Sequence, residues 1–193
     1  MQIAIVKYNA GNIQSVAFAL QRLGVEPLIT DNKDVLLKAD KVIFPGVGEA
    51  STTMQYLKEH QLDVVIKALK QPVLGICLGL QLMCAKSEEG HVDCMGIFPN
   101  LVKRFEPVLK VPHMGWNKIS QLKSELLDSS IESEHVYFVH SYYAEVGNYT
   151  AATCNYINDF SAALHKDNFY ATQFHPEKSG PVGEKILQNF LGL

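Results

Sequence analysis

One cysteine in this sequence has the surroundings of a nucleophile. Gly75-Ile76-Cys77-Leu78-Gly79 follows an apolar run at residues 73–76 and opens a helical pattern. A glycine two places to either side of a thiol suits a sharp strand-to-helix turn, where backbone passes close to backbone. A thiol at such a turn stands at a helix N-terminus, where the helix dipole favours an anion. The amide of Leu78 is then placed to donate to an oxyanion. Cys84, Cys94 and Cys154 lack these flanks and read as core residues.

A thiol nucleophile calls for a base, and the base for a group that orients it. His175-Pro176-Glu177 closes a strand-like run at residues 169–174. In an extended segment residues i and i+2 share a side, which sets Glu177 beside the His175 imidazole. Pro176 favours extended backbone at His175. The competing histidines are His60, His91, His113, His135, His140 and His165. His165 has Asp167 two positions on but lies just before a hairpin turn, and none of the others stands in an extended run with an acidic residue two positions away, so His175 is the expected base. A second glycine-rich loop, Pro45-Gly46-Val47-Gly48-Glu49, follows another strand candidate. In a doubly wound sheet such loops meet beyond the carboxyl ends of the strands. The loop offers Val47 and Gly48 amides as further oxyanion donors. No phosphate-loop pattern is present, which disfavours nucleotide binding.

The elements that must position these groups come in two styles. Up to residue 76, short apolar runs at 3–6, 28–29, 41–44 and 73–76 alternate with helical patterns. Ile13, Val16, Ala17 and Leu20 mark one helical face, and Leu62, Val65, Ile66 and Leu69 another. Asp31 is the expected cap of a short helix through residues 35–37. Wholly apolar strands point to a parallel sheet covered on both faces. Beyond residue 97 strand patterns dominate, at 101–105, 116–119, 136–139, 142–146, 151–156, 162–166 and 169–174. A last helix buries Gly183, Ile186, Leu187 and Phe190. The expected fold is α/β, a mostly parallel doubly wound sheet with helices on both faces and an antiparallel extension, in one domain over residues 1–193.

Composition excludes several function classes. The 193 residues are 47% hydrophobic and 19% charged, which is not a disordered composition. A net charge of −3 without a basic run gives no electrostatic footprint for nucleic acid or anionic lipid. No apolar run approaches the ~20 residues of a membrane helix, and the start reads as a strand rather than a signal peptide. Four cysteines without a C-x2-C pair argue against a zinc site and for reduced thiols in a cytoplasm.

Taken together, Gly75-Ile76-Cys77-Leu78-Gly79-Leu80-Gln81, Val139-His140-Ser141-Tyr142 and His175-Pro176-Glu177 resemble the triad-type, class-I glutamine amidotransferases. The resemblance spans essentially the whole chain. It implies Cys77 as nucleophile, His175 as general base and acid, and Glu177 as the orienting carboxylate. It further implies that Glu49 and Gln81 line a glutamine pocket. His140, Ser141 and Tyr142 would bind the amino-acid end of the substrate, largely through backbone. No cofactor or metal is called for.

Three segments resemble one branch of that family, whose members supply ammonia to a separate (β/α)8-barrel cyclase subunit in histidine biosynthesis. They are the stretch from Tyr8-Asn9-Ala10-Gly11-Asn12 to Val16, Pro45-Gly46-Val47-Gly48, and Val111-Pro112-His113-Met114-Gly115-Trp116-Asn117. Asn-Ala-Gly at 9–11 departs from a common Gly-x-Gly. The resemblance implies a 1:1 heterodimer with Asn12, Met114 and Trp116 at the interface. Two glycines in the loop at 45–48, where an oxyanion donor must appear, lead us to expect that this loop reaches its working orientation only when partner and nucleotide are bound. The branch serving pyridoxal phosphate synthesis shares the triad and also docks on a barrel, but the 111–117 segment argues against it. A non-catalytic module of the same fold is disfavoured by the intact triad.

Overall fold

The apolar runs of the first half become strands of one sheet because their two faces are buried separately. The computed structural model describes residues 1–9 and 12–193; Ala10 and Gly11 of the N-terminal segment lie outside them. In chain order the elements open with β1 (Ile3–Val6), α1 (Ile13–Arg22), β2 (Leu28–Thr30), α2 (Lys33–Lys38) and β3 (Lys41–Gly46). Then come α3 (Ala50–Glu59), α4 (Leu62–Ala68), β4 (Val73–Cys77), α5 (Leu78–Met83), β5 (Lys86–Ser87) and β6 (Val92–Asp93). The second half holds β7 (Leu101–Arg104), β8 (His113–Lys118), β9 (His135–His140), β10 (Tyr142–Ala144), β11 (Thr150–Tyr156), β12 (Asn158–Lys166), β13 (Phe169–Thr172) and α6 (Gly180–Gly192).

The main sheet has seven strands in the order β11-β12-β13-β4-β3-β1-β2. From β13 to β2 every pairing is parallel, and β11 and β12 add on antiparallel. Successive side chains on a strand face opposite ways. Ile3, Ile5, Ile43, Leu74, Ile76 and Tyr170 therefore pack with α1 and α6 on one side. Ala4, Val6, Val42, Phe44, Val73 and Ala171 pack with α2 to α5 on the other. Both faces of the parallel part are thus closed, as the apolar runs required.

Two local expectations are corrected, and one helix is added. The cap of α2 is Asn32, not Asp31: Asn32 Oδ1 accepts from the amides of Asp34 at 3.0 Å and Val35 at 3.2 Å. Helix α3 has no counterpart in the apolar pattern, because its inward face includes Thr53 beside Ala50, Met54 and Leu57. The later strands do not all extend the main sheet. β10-β7-β5-β6 form a side sheet, and β8 with β9 a separate two-stranded ribbon. No helix among the described residues is long and apolar enough to cross a membrane.

The cap assignment separates two neighbouring residues. Asn32→Ala should lower unfolding free energy by about 1 kcal/mol, whereas Asp31→Ala should leave it nearly unchanged. Urea unfolding of both variants reads the difference.

Candidate active site

Three parallel neighbours deliver three chemical groups at one end of the sheet. In the β3–β4 register Gly46 lies opposite Cys77, and in the β13–β4 register Thr172 lies opposite Ile76. The loop at 45–48, the thiol and the segment leading to His175 therefore leave the sheet side by side, at the carboxyl ends of their strands.

Cys77 ends β4 with φ 56° and ψ −108°, and α5 begins at the next residue. This is the sharp turn that the flanking glycines foretold. Gly79 is required by close approach: a Cβ there would stand 2.0 Å from the Phe44 carbonyl oxygen. A Cβ on Gly75 would meet Met83 Sδ at 2.9 Å and the Gly79 backbone just beyond 3 Å. Both glycines thus let α5 fold back against β3 and β4.

His175 Nδ1 lies 2.8 Å from Glu177 Oε1, with both side chains buried. The pairing is as expected, but the route differs. Pro176–Lys178 forms a 3-10 turn, and it is this turn, not an extended strand, that brings the carboxylate back to the ring. Asn12 Nδ2 donates to the same Glu177 oxygen. Asn12, expected on a partner-facing surface, turns its amide inward to the triad. Glu177 Oε2 and His175 Nε2 are buried with no hydrogen-bond partner among the described residues. Burial pushes the His175 pKa down, but the Cys77 thiol and the Glu177 carboxylate outweigh it and lift the ring to about 10.

A cavity of about 350 Å³ opens over the thiol. It is lined by Val47, Gly48, Cys77, Leu78, Gln81, Glu89, Pro112 and the stretch 139–142. Most of the expected pocket residues therefore come together: Val47, Gly48, Leu78, Gln81, His140, Ser141 and Tyr142. Glu49 does not line the cavity. Its carboxylate caps α3, accepting from the amides of Ser51 at 3.0 Å and Thr52 at 2.8 Å. Burial raises its carboxyl, and these hydrogen bonds outweigh that and hold it below the usual range.

Glu89 occupies the wall instead. Its Oε2 accepts from the Ala50 amide at 2.9 Å. Burial raises its carboxyl, the Ala50 amide opposes, and the Glu49 charge adds to the rise. In the sequence Glu88 and Glu89 look alike; only the structure separates them, since Glu88 accepts from the Arg104 amide at 2.7 Å.

Gln81 is buried, and its Nε2 is committed internally. It donates to the Tyr142 carbonyl at 2.9 Å and to Gln173 Oε1 at 3.0 Å. Gln173, which no motif had singled out, has its own Nε2 3.7 Å from Cys77 Sγ. Met114 and Trp116 lie away from the cavity on the outer side of β8, 58% and 56% exposed. No group of three or more His, Cys, Asp or Glu among the described residues could hold a metal ion.

A thiol on a strained strand-to-helix turn, with a carboxylate-held imidazole beside it, is the apparatus of acyl transfer through a thioester. The sequence matches the family described as glutamine amidotransferase class-I over residues 4–192. The chain belongs to the class-I glutamine amidotransferase family. It is 66% identical over the whole of both chains to the imidazole glycerol phosphate synthase subunit HisH of Bacteroides fragilis strain YCH46. It is 45% identical over 99% of both chains to the protein of that name from Escherichia coli strain K12. Among solved structures, a glutamine amidotransferase aligns with a TM-score of 0.75 at 18% identity, over 98% of this chain and 97% of that one. PurLQS from Thermotoga maritima aligns at 0.72 and 16% identity, over 99% of this chain and 97% of that one. At such identities these two structures speak for the amidotransferase fold alone.

Two outcomes follow from this geometry. Gly79→Ala should destabilise the amidotransferase by about 3 kcal/mol in urea unfolding, because the Phe44 backbone must yield. The raised His175 pKa stabilises the fold while the ring is charged. That contribution is complete below the unfolded value near 6.5 and is lost as pH climbs toward about 10. The unfolding midpoint should therefore fall across this window, and fall less steeply in His175→Gln.

Proposed function

We propose that this chain is the glutaminase subunit of an imidazole glycerol phosphate synthase in histidine biosynthesis. The observation that carries the reading is a cavity lined by Cys77, Gln81 and Glu89, together with the buried His175–Glu177 pair, in a chain 66% identical end to end to such a subunit.

Cys77 sulfur attacks the side-chain amide carbon of glutamine. His175 holds the thiol proton and passes it to the departing ammonia. The amides of Leu78 and of Val47 and Gly48 receive the oxyanion, where one such donor is typically worth about 10²–10³ in rate. Water then attacks the thioester, with His175 as base, and glutamate leaves. Glu177 keeps the imidazole oriented throughout, and Asn12 holds Glu177.

The pocket chemistry suits the amino-acid end of glutamine. Glu89 offers a half-buried carboxylate to the α-ammonium, and a cation there would favour its ionised form. Gln81 has spent its N–H groups inside the protein, so its Oε1 is left to accept from a substrate N–H. The backbone at 140–142 supplies the remaining wall.

Ammonia must reach an acceptor that this chain does not carry. A (β/α)8-barrel cyclase, joined 1:1, is the partner we infer. The exposed pair Met114 and Trp116 on β8 supports a docking face there, since aromatic anchors dominate interface energetics.

Cys77→Ala should abolish glutamine hydrolysis and leave complex formation with the cyclase intact. Glutamate release and gel filtration read the two separately; wild-type hydrolysis by the variant would remove Cys77 from the mechanism. Glutamine turnover by the wild-type chain should rise at least tenfold when cyclase and its nucleotide are added. Equal turnover with and without them would reject an oxyanion loop that waits for its partner.

A further inference from the structure

At the cavity wall, of which His140 is part, lies a pair of buried histidines whose rings thiol chemistry does not directly use. His113 on β8 and His140 on β9 are register partners in the ribbon. His113 Nδ1 is 3.0 Å from His140 Nε2, and His140 Nδ1 is 2.7 Å from the Tyr142 carbonyl oxygen. On the far side Asn117 Nδ2 is 3.3 Å from His113 Nε2 and 3.0 Å from the Asn155 carbonyl.

The hydrogens in this chain have one consistent arrangement. A carbonyl can only accept, so His140 carries its proton on Nδ1. Burial, with His113 and His175 adding to it against the Tyr142 bond, lowers the His140 pKa to about 3. Burial alone lowers that of His113 to about 4. Both rings are therefore neutral at pH 7. The bare Nε2 of His140 must accept, which puts the His113 proton on Nδ1 as well. The bare Nε2 of His113 then accepts from Asn117, whose second hydrogen goes to Asn155. Donation thus runs one way, from Asn117 through His113 and His140 to the Tyr142 carbonyl. From the other side that carbonyl receives the Gln81 amide, which leads through Gln173 to Cys77.

We propose that the His113–His140 pair is a positioning device for the glutamine pocket, setting the Tyr142 carbonyl and through it Gln81 from the ribbon that carries Met114 and Trp116. Neither ring touches the reacting atoms. Their work is to hold an acceptor at a fixed place in the wall, with two donors converging on it from opposite sides. Phe105, Phe138 and Phe160 pack around the two rings and hold them in place. The inference rests on the glutaminase reading for its kinetic consequence, but not for its tautomers.

The tautomers are therefore tested first, on the wild-type chain without glutamine. Nitrogen-15 NMR should show both rings protonated at Nδ1 only, with a scalar coupling across the His113 Nδ1–H···Nε2 His140 bond. A proton on Nε2 of either ring overturns the proposal and leaves the glutaminase reading untouched. The second test is glutamine kinetics in the assembled synthase. His140→Asn keeps a donor where Nδ1 stands, whereas His140→Gln removes it. His140→Gln should raise KM for glutamine by roughly 10-fold, the effect of losing one of the two hydrogen bonds that hold a buried acceptor in place, with kcat changing less than KM. His140→Asn should recover most of that loss. Equal KM in both variants, or a loss confined to kcat, overturns the positioning role. If His140→Gln does not fold, the NMR result and the KM of His140→Asn, expected within about threefold of wild type, decide the matter.

Discussion

The turn at Cys77 is the constraint on which the site depends. Its backbone, at φ 56° and ψ −108°, lies outside the regions that suit an L side chain. Such a conformation costs on the order of 1–3 kcal/mol and persists only where its surroundings over-determine it. Here β4 is buried along its whole length between β3 and β13. Gly79 lets α5 lie against the Phe44 carbonyl, a contact no other residue type permits. The sheet holds the strand, the glycine holds the helix, and the thiol is left at the bend between them.

With the thiol fixed there, the other groups follow from sheet order. β3 and β13 flank β4 and run parallel to it, so whatever follows each of them arrives beside the thiol. The loop at 45–48 follows β3, and His175 follows β13. His175 is buried and pinned by three hydrogen bonds that have nothing to do with its ring, one of them from the Lys178 amide to its carbonyl at 3.0 Å. Its amide donates to the Tyr137 carbonyl at 2.9 Å, and its carbonyl accepts from Ser179 Oγ at 2.7 Å. A histidine held in this way can exchange a proton without changing place, which is what a single group acting as both base and acid requires.

The sequence was most legible where chemistry and geometry are set within a few residues. Glycines around Cys77 and the His-Pro-Glu triplet announce a turn and a pair because both are local. So do the wholly apolar runs, since only a doubly covered parallel sheet buries them. Legibility fails where two residues of one type compete for different jobs. Glu49 caps α3 because a helix start needs an acceptor more than the cavity needs that carboxylate. Glu89 reaches the wall only through the folding of the loop after β5. Asn32 displaces Asp31 by one position for the same local reason. Asn12, Gln173 and the His113–His140 pair depend on contacts between distant segments, and no spacing rule encodes those.

The ribbon of β8 and β9 joins these strands of argument. It stands apart from the main sheet, yet it touches the site twice. Through Tyr137 it holds the backbone of the base, and through His140 it holds the carbonyl that fixes Gln81. Its outer side carries Met114 and Trp116 into solvent, with Trp116 edge-on to Tyr137 at 6.1 Å. A two-stranded element without sheet neighbours is the part of such a fold most easily displaced, because fewer backbone hydrogen bonds restrain it. Any force on its outer face therefore reaches the base and the pocket wall together. His175 and the Tyr142 carbonyl share one support.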